Sequence, residues 1–264
     1  MCMTCGCSPE AEITLTDMQT GRHARLGAGA HEHHDGHGHS HSHEHGTIIP
    51  LEHNLLSKND RLAERNRGWL AGRGIHAVNL MSSPGAGKTT LLERTIRELG
   101  AELRIHVIEG DQETALDGKR IRAAGAAAIQ INTGAACHLD AEMAGAALRQ
   151  LDPPQGSVVL IENVGNLVCP AMFDLGEQAR VIVASVPEGD DKPAKYPHMF
   201  RKADVIVLNK MDLLPHVQFD VAAFERAARN LNPAALIFQV SATTGQGLEA
   251  WREWLRAGAK GSKL

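Results

Sequence analysis

Short apolar runs separated by turn residues recur along most of the chain. Ala77 to Met81, Arg104 to Ile108, Ala128 to Ile131, Val158 to Ile161, Val181 to Val186, Val205 to Leu208 and Leu236 to Val240 are mostly β-branched and nearly continuous in hydrophobicity. Such runs predict strands covered on both faces. Between them, Thr89 to Leu99, Leu139 to Leu151, Val221 to Asn230 and Gly247 to Arg256 read as helical. A further helix is predicted over Leu51 to Leu70, where Leu55, Leu62 and Trp69 recur at seven-residue intervals with Leu56 and Leu70 beside them. Strands alternating with helices predict an α/β fold, a doubly wound, mostly parallel sheet with helices on both faces and ligands at the carboxyl ends of its strands. Residues 1 to 50 show little apolar periodicity, so they read as a flexible Cys/His-rich tail without a packed core, followed by a domain over 51–264.

Composition narrows the function classes. A chain of 264 residues can bury a full core, and its 43% hydrophobic and 22% charged content is ordinary for a globular protein. The net charge of -4 argues against a nucleic-acid binder. No apolar run approaches the roughly 20 residues that span a bilayer. The first residues also lack the pattern of a secretory signal, so a cytoplasmic location is expected. Five cysteines, three of them at Cys2, Cys5 and Cys7, suit metal thiolates in a reducing compartment better than a disulfide framework. Histidine is the outlier, with eight of 15 packed between His31 and His45.

The chemistry centres on Ser82-Ser83-Pro84-Gly85-Ala86-Gly87-Lys88-Thr89-Thr90, placed between a predicted strand and a predicted helix. Gly85 and Gly87 let backbone amides around Ala86 converge on phosphate oxygens, and the helix after them adds its positive dipole end. Lys88 neutralises β and γ phosphates and the Thr89 hydroxyl ligates Mg²⁺, with Thr90 completing the motif of a P-loop NTPase. Ser82 stands where the motif has glycine. Asn209-Lys210-Met211-Asp212 follows the strand Val205 to Leu208. The Asp212 carboxylate can accept two hydrogen bonds from guanine, so GTP is expected over ATP. Asn209 and Lys210 fix the loop and cover the base, and Ser241-Ala242 closes the other side. On the γ-phosphate side, Glu162 can enter the Mg²⁺ shell, and the Gly165 amide can sense the phosphate. Asp111 reads either as a second Mg²⁺ or water-positioning group or as a helix cap.

Transition-metal donors form three groups. Cys2, Cys5 and Cys7, with the chain's α-amine, suit Ni²⁺ in a plane, or Zn²⁺ in a tetrahedron. The His-rich run offers many imidazoles without fixed geometry, as a store for either ion would. Cys137-His138 and Cys169 each follow a predicted strand and could supply two thiolates and one imidazole, although a buried structural cysteine is the plainer reading of each. If Cys169 moves with Gly165, loss of the γ phosphate alters metal affinity.

The combination resembles the HypB family, the GTPases that help insert nickel into [NiFe] hydrogenase. The resemblance rests on the Cys2 to Cys7 cluster, the His-rich run and Ser82 to Thr90. It rests equally on Glu109 to Gln112, Cys137 to Asp140, Glu162 to Pro170 and Lys195-Tyr196-Pro197. It implies a high-affinity nickel site at Cys2, Cys5 and Cys7 and a nickel or zinc site at Cys137, His138 and Cys169. It also implies slow GTP hydrolysis by a nickel metallochaperone, a GTP-dependent homodimer, and partnership with a second nickel-binding maturation protein and the hydrogenase large-subunit precursor. The alternatives are a urease-type nickel-insertion GTPase, a nickel storage protein with a vestigial GTPase, and a signalling or translation GTPase with no metal role.

Overall fold

The computed structural model describes residues 13–26, 48–112 and 116–261, with side chains from residue 55 onward in the first helix. Its strands are β1 (Ile13–Asp17), β2 (His23–Leu26), β3 (His76–Met81), β4 (Ile105–Asp111), β5 (Ala127–Asn132), β6 (Val158–Glu162), β7 (Ala179–Ser185), β8 (Val205–Asn209) and β9 (Leu236–Gln239). They form one sheet in the order β2-β1-β5-β4-β6-β3-β7-β8-β9. The strands from β5 to β9 in that order are parallel, and β1 pairs antiparallel with both β5 and β2. The β3, β6 and β8 strands are buried almost throughout, as their unbroken apolar runs require.

The helices are α1 (Ile48–Gly72), α2 (Lys88–Leu99), α3 (Leu116–Ala124), α4 (Ala141–Leu151), α5 (Lys192–Lys195), α6 (Pro197–Arg201), α7 (Val221–Leu231) and α8 (Leu248–Ala259). Successive side chains of β3 point to opposite faces. Val78 and Leu80 pack with Leu92 and Ile96 of α2, Ile121 of α3 and Trp251 of α8. Ala77 joins the core under α1 and α4, and Met81 the core under α6 and α7. Helices thus cover both faces, and β3 lies where chain connections diverge to either side, the place where such sheets bind ligands. No helix among the described residues is long and apolar enough to cross a membrane.

Three expectations need correction. The absence of a packed core before residue 50 fails for β1, whose Leu15 is 2% exposed and belongs to the core with Ile129 and Ile131. The boundary at residue 50 also falls inside α1, where Pro50 sits in the first turn, a position that tolerates a missing amide donor. The α1 stripe drawn through Leu55, Leu62 and Trp69 is not the buried face, for Leu55 is 49% exposed. Leu70, beside the stripe, is buried as expected and Trp69 packs partly against the core, but the rest of the buried row is Asn59, Ala63 and Asn66. Asn59 donates to the Asp174 carbonyl at 2.9 Å and accepts from the Ala141 amide at 2.9 Å. Asn66 donates to the carbonyls of Ala141 at 2.7 Å and Leu175 at 3.0 Å. The inner face is therefore partly an amide seam that serves loop backbone.

Candidate functional site: a nucleotide cleft beside a thiolate and imidazole trio

A cleft of about 500 Å³ opens at the carboxyl ends of β3, β4 and β6, a size typical of small-molecule sites. Gly85, Gly87, Lys88, Thr89, Thr90, Asp111, Glu162, Gly165 and Lys210 line it. Gly87 holds φ of 100° and leads directly into α2, so the first helical amides face the cleft. Ala86 is buried beneath the loop.

Lys88 is buried and donates to Ser82 Oγ at 2.7 Å, while Ser82 Oγ donates to the Ser83 carbonyl at 2.5 Å. The serine that departs from the motif thus supplies a hydroxyl that holds the lysine. Burial lowers the Lys88 pKa, opposed by the nearby Glu162 carboxylate. Thr89 Oγ1 donates to Glu162 Oε1 at 2.8 Å. Burial pushes Glu162 up to about 7, with Lys88 and the Thr89 hydrogen bond pulling the other way. Glu109, the register partner of Glu162 on the next strand, is pushed up to about 9 by burial and then by Glu162 and Asp111. The Oε2 atoms of both glutamates are buried and have no hydrogen-bond partner. The orphaned Glu162 oxygen, its partner oxygen bonded to the Thr89 hydroxyl, and Asp111 in the same cleft fit a hard divalent cation such as Mg²⁺. Asp111 ends β4 and caps the Gln112 amide through Oδ1 at 2.6 Å while lining the cleft.

The predicted base-binding residues gather only in part. Asn209 Nδ2 donates to the Ala86 carbonyl at 3.0 Å, and its Oδ1 accepts from the Ala242 amide at 3.0 Å. Lys210, in the left-handed region at φ of 61°, donates through Nζ to the Gly85 carbonyl at 2.6 Å. Ser241 is fully buried and its Oγ accepts from the Thr244 amide at 3.1 Å. Asp212 lies in the 3₁₀ turn Met211–His216, which hangs on the Val240 carbonyl through the Met211 amide at 3.1 Å. It is not among the residues that line the phosphate cleft.

The ligand atoms of Cys137, His138 and Cys169 lie within 4.8 Å of one another, the one such cluster among the described residues. Cys137 and His138 follow β5, while Cys169 opens the 3₁₀ turn Cys169–Ala171 after β6. The His138 ring stacks on Phe173 with centroids 4.0 Å apart, and burial pushes its pKa down to about 4. The imidazole is thus already neutral, as a ligand must be. The same shift makes the folded chain less stable as pH falls from the ordinary 6.5 towards 4, because the unfolded chain takes up a proton that the buried ring refuses. Cys2, Cys5, Cys7 and the His31 to His45 run lie outside the described residues.

A family profile described as "CobW/HypB/UreG, nucleotide-binding domain" matches residues 76–239. The hydrogenase maturation factor HypB of Rhizobium leguminosarum bv. viciae is 55% identical over 80% of this chain and 71% of its own length. The chain belongs to the HypB family. The crystal structure of HypB from Archaeoglobus fulgidus superposes with a TM-score of 0.72 at 45% identity, covering 77% of this chain and 99% of that one. HypB from Helicobacter pylori, solved in complex with nickel, gives a TM-score of 0.72 at 37% identity over 78% of this chain and 98% of that one.

Three side chains of this HypB-family cleft escaped the sequence reading. Arg120 lines it and donates to Asp117 at 3.0 Å, Glu93 at 2.8 Å and Thr90 Oγ1 at 3.3 Å. Asp117 and Arg120 belong to α3, a helix that was not foreseen. Glu109 stands in the sequence only as part of a motif, although a glutamate directly after the apolar residues Val107 and Ile108 of a strand is a signal for a buried acid.

Proposed function

We propose that this HypB-family chain hydrolyses GTP and uses the cycle to load and release nickel at Cys137, His138 and Cys169 during [NiFe] hydrogenase maturation. The meeting of a phosphate cleft and a two-thiol, one-imidazole donor set, joined by the segment from Glu162 to Cys169, carries the reading. Thr89, Glu162 and Asp111 would hold Mg²⁺, which neutralises phosphate charge when bound. Lys88 stabilises charge on the departing γ phosphoryl, and backbone amides of Gly85 to Thr90 hold the phosphates. Asp111 positions the attacking water, and the Gly165 amide meets the γ phosphate. Asp212 selects guanine once the base enters, with Asn209 and Lys210 framing it and Ser241 and Ala242 closing its far side. The cysteine tail at Cys2, Cys5 and Cys7 gathers nickel, and the His-rich run stores it. Zn²⁺ fits the Cys137 set as well as Ni²⁺ does. A GTP-dependent homodimer, a second nickel-binding maturation protein and the hydrogenase large-subunit precursor complete the cytoplasmic assembly.

The test is a nickel titration with a non-hydrolysable GTP analogue, with GDP and without nucleotide, alongside Cys169→Ala. A difference of about fivefold or more between nucleotide states is expected, in line with ordinary coupling between sites, and Cys169→Ala should abolish it. Equal affinities in all states overturn the coupling.

Proton release gives a second check. Because the His138 ring is already neutral near pH 6, nickel should displace protons only from the two thiols of this site. Affinity then weakens as pH falls from 7.5 to 6, by up to about 100-fold per pH unit for two protons. Calorimetry in buffers of different ionisation enthalpy counts them, with the tail cysteines and the histidines from His31 to His45 replaced. A count near three would show that the ring is protonated, contrary to its burial.

A further inference from the structure

The nucleotide cleft and the metal trio share a backbone framework beyond the binding residues themselves. Two asparagines flank Gly165, and each reaches the segment that carries His138. Asn163 is 1% exposed, and its Oδ1 accepts from the Leu139 amide at 3.1 Å and the Val164 amide at 3.0 Å. Its Nδ2 donates to Asn79 Oδ1 at 3.2 Å, and its backbone amide donates to the Leu80 carbonyl at 3.0 Å. Both partners belong to β3, so Asn163 is fixed to the centre of the sheet. Asn166, beyond Gly165, donates through Nδ2 to the Cys137 carbonyl at 3.5 Å, while its Oδ1 accepts from the Val168 amide at 2.9 Å.

The two side chains therefore grip the backbone on either side of His138. One grip is anchored to β3, the other to the loop that leads into Cys169. Gly165 lies between them against the phosphate loop, where a Cβ would come within 3.2 Å of the Pro84 backbone. Leu139 is further wedged against β4, for a Cβ on Gly110 would lie 2.9 Å from its side chain. A shift of Gly165 relative to Pro84 would carry Asn166 with it, while Leu139 is held by Asn163 and β4.

We propose that Asn166 is the positioning residue that passes nucleotide state to the metal site, with Asn163 as its fixed fulcrum. The proposal rests on the GTPase and nickel reading above. When Gly165 follows the γ phosphate, Asn166 draws on the Cys137 carbonyl while Asn163 holds the Leu139 amide. The peptide planes between them rotate, and the Cys137 thiol changes position relative to the His138 ring. Cys169, further along the moving segment, shifts on the other side of the donor set. Sequence position alone couples only Cys169 to the nucleotide, whereas Asn166 couples Cys137 as well.

The test uses the full chain carrying Cys2→Ser, Cys5→Ser and Cys7→Ser. Only Cys137 and Cys169 of the five cysteines then contribute thiolate-to-nickel absorption. Nickel affinity is measured by chelator competition followed at that thiolate-to-nickel band, which the His-rich run does not produce, with GDP and with a non-hydrolysable GTP analogue. The parent is expected to show a ratio of about fivefold or more between the two states. Asn166→Ala should bring that ratio below about twofold, with GDP affinity within about threefold of the parent and the nickel band retained. Asn166→Asp should do the same, because it can accept from Val168 but cannot donate to the Cys137 carbonyl. A ratio that survives both substitutions overturns the role of Asn166 and leaves the coupling intact. A ratio of one in the parent overturns the coupling itself. Loss of the nickel band in every state, or loss of GDP binding in both variants, makes Asn166 a scaffold residue and also overturns the proposal.

Discussion

Lys88→Ala is expected to lower single-turnover GTP hydrolysis by about 10³-fold or more, equivalent to roughly 4 kcal/mol of transition-state stabilisation. Two effects combine. The ammonium proposed to meet the γ phosphate is lost, and the buried carboxylates lose the cation that opposes their rise in pKa. Glu162, at about 7 with Lys88 present, then rises further and holds its proton at neutral pH. A protonated Glu162 is a poorer ligand for Mg²⁺, so raising Mg²⁺ or pH should recover part of the loss without restoring the rate. Phosphate release at saturating GTP measures it. A loss smaller than about tenfold would show that Lys88 does not carry γ-phosphate charge, and retained hydrogenase maturation would favour nickel storage over a working GTPase.

Gly87→Ala is expected to weaken GDP and GTP binding by about 100-fold or more. Gly87 holds φ of 100°, where a Cβ is strained, at a cost of about 1–3 kcal/mol. The new Cβ would also lie 2.5 Å from Asn209 Nδ2. Asn209 would have to withdraw, breaking the bonds through which it ties the Ala86 carbonyl to the Ala242 amide. The loop of Gly87 and the proposed base-binding loop of Asn209 would fail together. Fluorescent nucleotide titration measures the affinity, and a thermal melt of the nucleotide-free chain separates site damage from unfolding. Affinity within about threefold of the parent would mean that Asn209 can rotate away without consequence.

Much of this molecule is legible in its sequence because its chemistry follows short apolar strands. The runs ending at Met81, Ile161 and Leu208 each deliver motif residues to the same edge of the sheet, and the HypB resemblance is borne out by the comparisons. Other features depend on contacts between segments distant in sequence. The strand β1 buries one large residue, Leu15, too short a pattern to stand out in a polar region. The helix α3 hides Ile121 among Asp117, Lys119, Arg120 and Arg122, so its buried side is narrow. On α1, asparagines occupy inward positions because loop carbonyls need donors there, which no hydrophobic periodicity can reveal. Asn163 and Asn166 acquire meaning only when the backbone around His138 lies beside them. Ser82 reads as a departure from the motif until Lys88 is seen to rest on its hydroxyl.

The antiparallel pairing of β1 also sets a tether length. Thr14 lies opposite Asn132, which places Ile13 at the sheet edge where β5 leads on to Cys137. A fully extended chain covers at most about 3.5 Å per residue, so the chain from Ile13 back to Cys7 can span no more than about 20 Å, and back to Cys2 no more than about 40 Å. Without β1, the first fixed point would be the start of α1 at Ile48, and the same arithmetic would allow roughly 140 Å to Cys7. A short tether of this kind produces effective concentrations in the millimolar range. Transfer of an ion from the proposed site at Cys2, Cys5 and Cys7 to Cys137, if direct between tethered ligands, would thus be governed by chain geometry rather than by the free metal around the protein.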